Sequence, residues 1–176
     1  MKYLITLLIL FLETLLCFAY DSLYILDDTC ISELHSIAQG TINNKDILII
    51  RDSRGIILRF FLDNPSKEYN QLSAETLKKV VAIKEFLAKI KNSAIIEVHT
   101  ENENRLKESK LKNWELSSVI ADRVESEILK GNNSLDVSRI KSVGYGEFLP
   151  AKNTPYNGGN LNNRIDIIIL CNITGE

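Results

Sequence analysis

Apolar runs divide the chain into short strands with two longer helices between them. Asp46–Ile50 and Gly55–Leu62 are apolar runs joined by a polar turn, which predicts a β-hairpin. Residues 94–98 are predicted to form a strand because Ile95, Ile96 and Val98 are apolar and β-branched, and residues 137–143 form a weaker strand candidate. The last run, residues 164–170, is apolar on both faces in its middle, which is typical of a central strand.

Apolar residues spaced three and four apart predict two main helices. The first follows Ser73, a favourable N-cap, and extends to about Ile90. The second is predicted from Asn113, taken as its cap, to about Lys130, with an i, i+4 stripe of Leu116, Ile120, Val124 and Ile128. A shorter helix is predicted from Thr29 to Ile37 and closed by Gly40, with one packing face made of Ile31, Leu34 and Ile37.

The order of these elements indicates an α+β fold. A hairpin, helix, strand, helix, strand, loop and strand are most economically packed as one mixed sheet covered by the two main helices. The strand–helix–strand unit between residues 55 and 98 is expected to be a right-handed βαβ unit with parallel strands.

The N-terminus carries a targeting signal. Lys2 precedes a nearly continuous apolar run that ends in small residues at Cys17 and Ala19, which predicts a secretory signal peptide over residues 1–19. An uncleaved membrane anchor is the alternative. We assign residues 20–45 to an N-terminal extension and residues 46–172 to the domain. After export, Cys30 and Cys171 either form a disulfide or remain buried free thiols.

Composition excludes several classes of function. The 23 acidic and 21 basic residues provide no field for nucleic acid. The chain has two histidines and no Cys/His pair at metal spacing, so we expect neither a metal nor a cofactor. There is no nucleophile motif and no paired carboxylates in a defined environment, so we expect no enzymatic activity.

The candidate site is the polar end of the strand at residues 94–98. His99, Thr100 and Glu101 present a ring, a hydroxyl and a carboxylate where that strand ends. Ligands of open α/β sheets lie beyond the carboxyl ends of strands. This tip is therefore the place to look for binding chemistry.

Four segments in order resemble the motifs of one known family. Residues 96–101, IEVHTE, resemble I-E-G-H-T-D, and residues 113–117, NWELS, resemble N-x-x-L-S. Residues 139–147, RIKSVGYGE, with Pro150 and Asn153, resemble R-I-x-x-x-G-Y-G-E-x-x-P-x-x-N, and residues 162–166, NNRID, resemble N-R-R-V-E. Over roughly residues 46–170 the chain resembles the OmpA-like C-terminal domain, the peptidoglycan-associated domain also found in Pal and MotB proteins.

The resemblance implies an OmpA-like βαβαββ sandwich that binds the peptidoglycan stem peptide non-covalently in the periplasm. In the family, the aspartate of H-T-D takes the ammonium of diaminopimelate, and the arginine of L-S-x-x-R-A takes its carboxylate. A zwitterionic ligand end requires such an anion and such a fork-shaped cation. Carried over by motif, the candidate ligand-binding residues are Glu101, Thr100, His99, Asn113, Leu116 and Arg164. Arg164 is expected either to pair with Glu101 or to contact an anion.

The sequence departs from the family at the binding positions. Glu101 replaces the aspartate, Ile120 replaces the arginine, and Asn163 replaces the first arginine of N-R-R. One hypothesis is a wall ligand whose diamino acid lacks the second carboxylate, such as lysine or ornithine. The other is a degenerate domain acting as an envelope scaffold or protein-interaction module. Arg105 and Arg123 are weaker candidates for a substitute cation.

Overall fold

The computed structural model describes residues 29–101, 112–131, 135–151 and 159–171. Its helices are α1 (residues 29–41), α2 (Pro65–Glu68), α3 (Ala74–Leu87) and α4 (Asn113–Leu129). Its strands are β1 (Leu48–Asp52), β2 (Gly55–Phe61), β3 (Ala94–His99), β4 (Ile140–Gly146) and β5 (Arg164–Leu170). Single 3₁₀ turns, Val137–Arg139 and Gly159–Asn162, lead into β4 and β5.

The strands form one mixed sheet in the order β1-β2-β5-β3-β4, which confirms the predicted α+β class. β1 and β2 form the predicted hairpin, and β5 is central between two antiparallel neighbours. β3 and β4 are parallel neighbours joined through α4. β2 and β3 are also parallel, as predicted for the βαβ unit, but they are not neighbours. β5 lies between them and is antiparallel to both.

The main core lies between the sheet and its helices. The sheet contributes Ile56, Leu58, Phe60, Ile96, Val98, Ile165, Ile167 and Ile169, all buried on one face of β2, β3 and β5. From the helices, Val80, Ile83, Phe86 and Leu87 of α3 and Leu116, Ile120, Val124 and Ile128 of α4 pack against that face. The predicted stripe of α4 is therefore the sheet-facing side.

Helix boundaries follow the caps only in part. Ser73 caps α3 as predicted, since its hydroxyl accepts from the backbone N–H of Thr76 at 3.2 Å. The prediction that Asn113 caps α4 was wrong by one residue. Lys112 is the N-cap, its N–H donating to Glu115 Oε2 at 2.8 Å. The Glu115 side chain thus satisfies the N–H that begins the helix.

The N-terminal helix packs differently from its prediction. It continues through Gly40 to residue 41 instead of ending near Ile37. Ile37 is 42% exposed, whereas Ala38 is buried together with Ile31 and Leu34. Positions i, i+3 and i+7 lie closer to one direction of a helix than i, i+3 and i+6, so Ala38 takes the inward position.

A disulfide joins this helix to the end of β5. Cys30 and Cys171 are bonded across a sequence separation of 141 residues, with their Cα atoms 6.0 Å apart. The first of the two alternatives for these cysteines is therefore the observed one. Because the bond closes nearly the whole described chain into one loop, it fixes α1 to the domain.

Among the described residues, no helix is long and apolar enough to cross a membrane. Residues 1–19 lie outside the described residues, so their assignment as a signal peptide stays a prediction.

Candidate functional site

The candidate site lies at the edge of the sheet where several strand ends meet. β2, β3 and β4 all finish at this edge, and β5 begins there, as the pairing of Phe61 and His99 with Arg164 requires. The N-terminus of α4 lies beside the end of β4. The predicted tip of β3 is thus surrounded by residues from the other ends of the sheet.

Glu101 is an acidic residue at this edge of the sheet. The residue is partly exposed, and its backbone N–H donates to Asn163 Oδ1 at 2.7 Å. Within the described residues, its carboxylate makes no hydrogen bond or ion pair. A partly exposed carboxylate that pairs with no described cation is available to an ammonium group from outside.

Thr100 and Asn113 connect the tip of β3 to α4. Thr100 is buried, its N–H donates to Gly146 O at 3.0 Å, and its hydroxyl donates to Asn113 O at 3.1 Å. The Asn113 amide Nδ2 donates to Glu147 Oε2 at 3.2 Å. Asn113 is half-buried, so part of its side chain is accessible to a ligand. Thr100 is buried and holds the end of β3 against the start of α4.

Two glycines of the G-Y-G-E segment allow α4 to approach β4. A Cβ on Gly144 would lie 2.2 Å from Ser118 N, so no larger residue fits there. Gly146 has a φ of 56° and sits against the backbone of Trp114, and its N–H donates to Ser117 Oγ at 2.9 Å. This close packing is what brings Asn113 beside Thr100.

The helix positions facing the core offer nothing to a ligand. Ile120, which replaces the family arginine, is fully buried among core residues, as is Leu116. We therefore place Leu116 under the site and not in contact with a ligand, which corrects its sequence-based assignment. Its i, i+4 stripe faces the sheet, so both side chains fill the core.

Of the two substitute cations, Arg123 is described by the structure, and it lies away from the tip. Arg123 Nε donates to Tyr69 O at 2.7 Å, and Arg123 lies ten residues beyond Asn113, about 15 Å along the helix. It lines a groove between α3 and α4 instead, with Leu77 and Asp122. Arg105 lies outside the described residues.

Beneath the tip, on the sheet face opposite the helices, lies a buried cluster of charges. Arg59 binds Asp166 through two hydrogen bonds, Nε to Oδ1 at 2.6 Å and Nη2 to Oδ2 at 2.7 Å. Arg164 Nε also donates to Asp166 Oδ2, at 3.1 Å. Arg164 Nη2 donates to the carbonyl of Leu149 at 3.0 Å. The cluster therefore joins β2, β5 and the loop after β4.

These contacts correct the expected role of Arg164. Its guanidinium pairs with Asp166 and not with Glu101, and the residue is only 4% exposed. Burial lowers the pKa of Arg164, and the carboxylate of Asp166 opposes that shift. Hydrogen bonding to Asp166 raises the pKa of Arg59. Arg164 thus anchors the loop after β4, because a buried guanidinium needs its anion and its carbonyl acceptor.

His99 belongs to the same buried cluster. Its ring is 2% exposed and stacks on Tyr145 with centroids 5.3 Å apart. Its Nε2 lies 3.7 Å from Glu97 Oε2 and 3.9 Å from Asp166 Oδ2, and neither ring nitrogen has a hydrogen-bond partner in the described part of the chain. The burial makes His99 a support of the tip and not a group that a ligand reaches.

Glu97, His99 and Asp166 lie close enough together to be considered as a metal site. The arrangement does not fit a divalent cation, because Asp166 Oδ2 already accepts from Arg59 and Arg164, which occupy its lone pairs. Arg54 Nη1 also donates to Glu97 Oε1, at 3.3 Å. Three guanidinium groups around two carboxylates leave no excess negative charge for a metal.

Sequence reasoning missed two residues of this region. Arg59 was assigned only to a strand, and its partner Asp166 is 107 residues away, so their contact follows from the β2–β5 register alone. Asn163 was noted only as a departure from the family, yet it binds the backbone of Glu101. Its position within the N-R-R-like segment was the available signal.

No family model matches the sequence, and no curated protein matches it. Solved structures do match its fold. A MotB-like protein from Desulfovibrio vulgaris is 18% identical with a TM-score of 0.66, covering 82% of this chain and 93% of that one. The periplasmic domain of Helicobacter pylori MotB is 19% identical with a TM-score of 0.57, covering 70% of this chain and 81% of that one.

Two further structures widen the range of similar proteins. An outer membrane protein from Borrelia burgdorferi is 26% identical with a TM-score of 0.51, covering 72% of this chain and 99% of that one. The cell wall anchor of the type VI secretion system of Pseudomonas aeruginosa is 17% identical with a TM-score of 0.53, covering 78% and 96%. With its mixed five-stranded sheet and two main helices, the chain has the OmpA-like fold, in a divergent form.

Proposed function

We propose that this protein binds peptidoglycan non-covalently by holding the side-chain ammonium of a stem-peptide diamino acid on Glu101. The observation that carries the proposal is the state of the Glu101 carboxylate. It is partly exposed at the sheet edge and is not neutralised by any described residue. Because no described residue pairs with this carboxylate, an incoming ammonium would gain a charge-assisted hydrogen bond there.

The similar structures support the general role. The Pseudomonas aeruginosa protein is described as a cell wall anchor, and the Helicobacter pylori MotB structure is of a periplasmic domain. A wall-binding, non-enzymatic role in the periplasm is consistent with these proteins. The Cys30–Cys171 disulfide adds support for export, since such bonds persist in oxidising compartments.

We further propose that the preferred diamino acid lacks a second carboxylate, as lysine and ornithine do. Diaminopimelate brings a carboxylate that needs a cation, and the position that supplies it in the family is Ile120, buried in the core. Arg123 and Arg164 are both engaged elsewhere. Among the described residues, a second carboxylate placed in this site would lose its water without gaining an arginine partner, which opposes binding.

In this proposal the six candidate residues have different roles. Glu101 contacts the ammonium, and Asn113 is accessible beside it. Thr100, His99 and Arg164 hold the surrounding loops from buried positions, and Leu116 supports α4 from the core.

A scaffold function is the alternative, and one observation favours it. Trp114 is 50% exposed at the start of α4, and Phe148 is 72% exposed just after β4. Exposed aromatic side chains are enriched in protein interfaces. A domain that had lost wall binding would still present this surface to an envelope protein.

A sacculus pull-down separates the two functions. Purified wild-type protein, Glu101→Gln and the control Glu85→Gln are incubated with sacculi containing lysine or ornithine. Glu85 is an exposed acid of α3, so it matches the charge change away from the tip. We expect retention of the wild type and of Glu85→Gln and loss of Glu101→Gln. Equal retention of all three would overturn the ammonium contact, and no retention of any would favour the scaffold.

A further inference from the structure

The segment Asn162–Arg164 contacts the loops that surround the candidate site. Asn163 O accepts from Leu62 N at 2.8 Å, after β2, and Asn163 Oδ1 accepts from Glu101 N at 2.7 Å, after β3. Asn162 Oδ1 accepts from Ala151 N at 3.1 Å, and Arg164 binds the carbonyl of Leu149. One short segment at the start of β5 thus binds the residues that follow β2, β3 and β4.

Within this segment, Asn163 is the residue directly bonded to the ligand-holding acid. It is only 4% exposed, and its backbone is fixed on both sides by Leu62 and by the start of β5. Because the Glu101 N–H is a donor, the group facing it must be the carbonyl oxygen of the Asn163 amide. The hydrogen bond from Glu101 N–H therefore determines which end of the Asn163 amide faces Glu101.

We infer that Asn163 is a positioning residue for ammonium binding, holding the main chain of Glu101 so that its carboxylate is presented at the sheet edge. This inference rests on the proposed function. Glu101 follows the last residue of β3 by two positions, and with its N–H unbound its backbone would be free to turn away from the edge. A fixed backbone reduces the conformational entropy that ligand binding must overcome.

The inference relates two of the departures from the family motif. Glu101 is longer by one methylene than the family aspartate, and a longer side chain has more rotamers to lose on binding. Asn163 stands where the family has an arginine, and its short amide fits the 2.7 Å contact with the Glu101 backbone. The amide thus restrains the backbone of the more flexible acid.

The test uses substitutions that separate hydrogen bonding from shape. Asn163→Leu keeps the approximate size and removes the acceptor, while Asn163→Asp keeps an acceptor oxygen. Calorimetry with a stem peptide ending in lysine or ornithine measures affinity, and hydrogen exchange measures protection of the Glu101 amide. We expect Asn163→Leu to lose about 3- to 10-fold in affinity with faster exchange at Glu101. Asn163→Asp should retain both properties.

A double-mutant cycle distinguishes positioning from general destabilisation. If Asn163 acts through Glu101, Asn163→Leu adds no further loss in a Glu101→Gln background. Additive losses, or unchanged affinity of Asn163→Leu beside a weakened Glu101→Gln, would overturn the inference. Wild-type protein that binds none of the peptides would instead refute the proposed function, with the Glu101 amide exchange still reporting the Asn163 contact.

Discussion

At the scale of single residues, the charged side chains of the site differ in whether they are paired with an opposite charge. Arg59 and Arg164 both pair with the carboxylate of Asp166 under the sheet edge. The Glu101 carboxylate is partly exposed and has no hydrogen bond or ion pair among the described residues. The two family binding positions therefore differ in this chain. The acidic position is still charged, as Glu101 near the surface, whereas the arginine position holds Ile120, which is buried in the core.

Ile120 is predicted to act on stability and not on ligand contact. Ile120→Ala should lower the free energy of unfolding by about 2–5 kcal/mol, because it opens a cavity in a fully buried position. Chemical denaturation measures the loss, and Val137→Ala, at a 63% exposed residue, is the control with little change. The folded fraction of Ile120→Ala should bind sacculi as the wild type does. A specific loss of binding with normal stability would contradict a purely structural role.

Asp166 is predicted to be essential to the buried cluster. Asp166→Asn keeps the shape of the side chain but leaves the guanidinium groups of Arg59 and Arg164 without their anion. We expect a loss of about 3–5 kcal/mol in the free energy of unfolding. Asp63→Asn, at an exposed loop position, serves as the control. Equal stability of both variants would show that the cluster is not electrostatically coupled.

At the scale of elements, the sequence predicted which helices and strands exist better than it predicted the residues where they begin and end. β-branched runs and i, i+4 stripes identify the five strands and the two main helices, because burial on one face or both leaves a periodic record. Ala38 is buried in place of Ile37 because of how α1 packs on the domain. The start of α4 at Asn113 depends on the contact between Lys112 N–H and the Glu115 side chain. Neither feature produces a periodic pattern of apolar residues in the sequence.

The N-cap of α3 gives a prediction at this scale. Ser73→Ala removes the hydroxyl that accepts from Thr76 N, and we expect a loss of about 1 kcal/mol in the free energy of unfolding. Ser53→Ala, in the exposed β1–β2 turn, is the matched control. Urea titration of both variants measures the difference. A Ser73 variant as stable as its control would mean that Glu68, which binds Ser73 N and the Thr76 hydroxyl, suffices at this helix start.

At the scale of the whole molecule, the fold could be predicted but the site only in outline. The motif matches singled out Glu101, Asn113 and the G-Y-G-E segment, and the structure brings them to one edge. The Arg59–Asp166 and Glu101–Asn163 contacts could not be predicted, since they depend on strand register across more than 60 residues of sequence. Burial of Arg164 likewise follows from its position in a central strand.

The disulfide is expected to contribute to global stability. Closing a loop of 141 residues corresponds to about 5 kcal/mol in the chain-entropy model, with the measured value often smaller. Reduction should therefore lower the denaturation midpoint clearly. Peptide mapping without reductant should recover Cys30 and Cys171 in one linked fragment. Separate fragments with free thiols, or a midpoint unaffected by reductant, would contradict this contribution.

The central claim is that Glu101 holds an ammonium and that no described residue takes the place of the family arginine as a partner for a carboxylate. Calorimetry of the purified protein with stem peptides ending in lysine, ornithine or diaminopimelate tests it most directly. We expect lysine or ornithine peptides to bind more tightly than diaminopimelate, and Glu101→Gln to weaken them about 10- to 100-fold, as loss of a charge-assisted hydrogen bond implies. A clear preference for diaminopimelate, or binding that is indifferent to Glu101, would contradict the account.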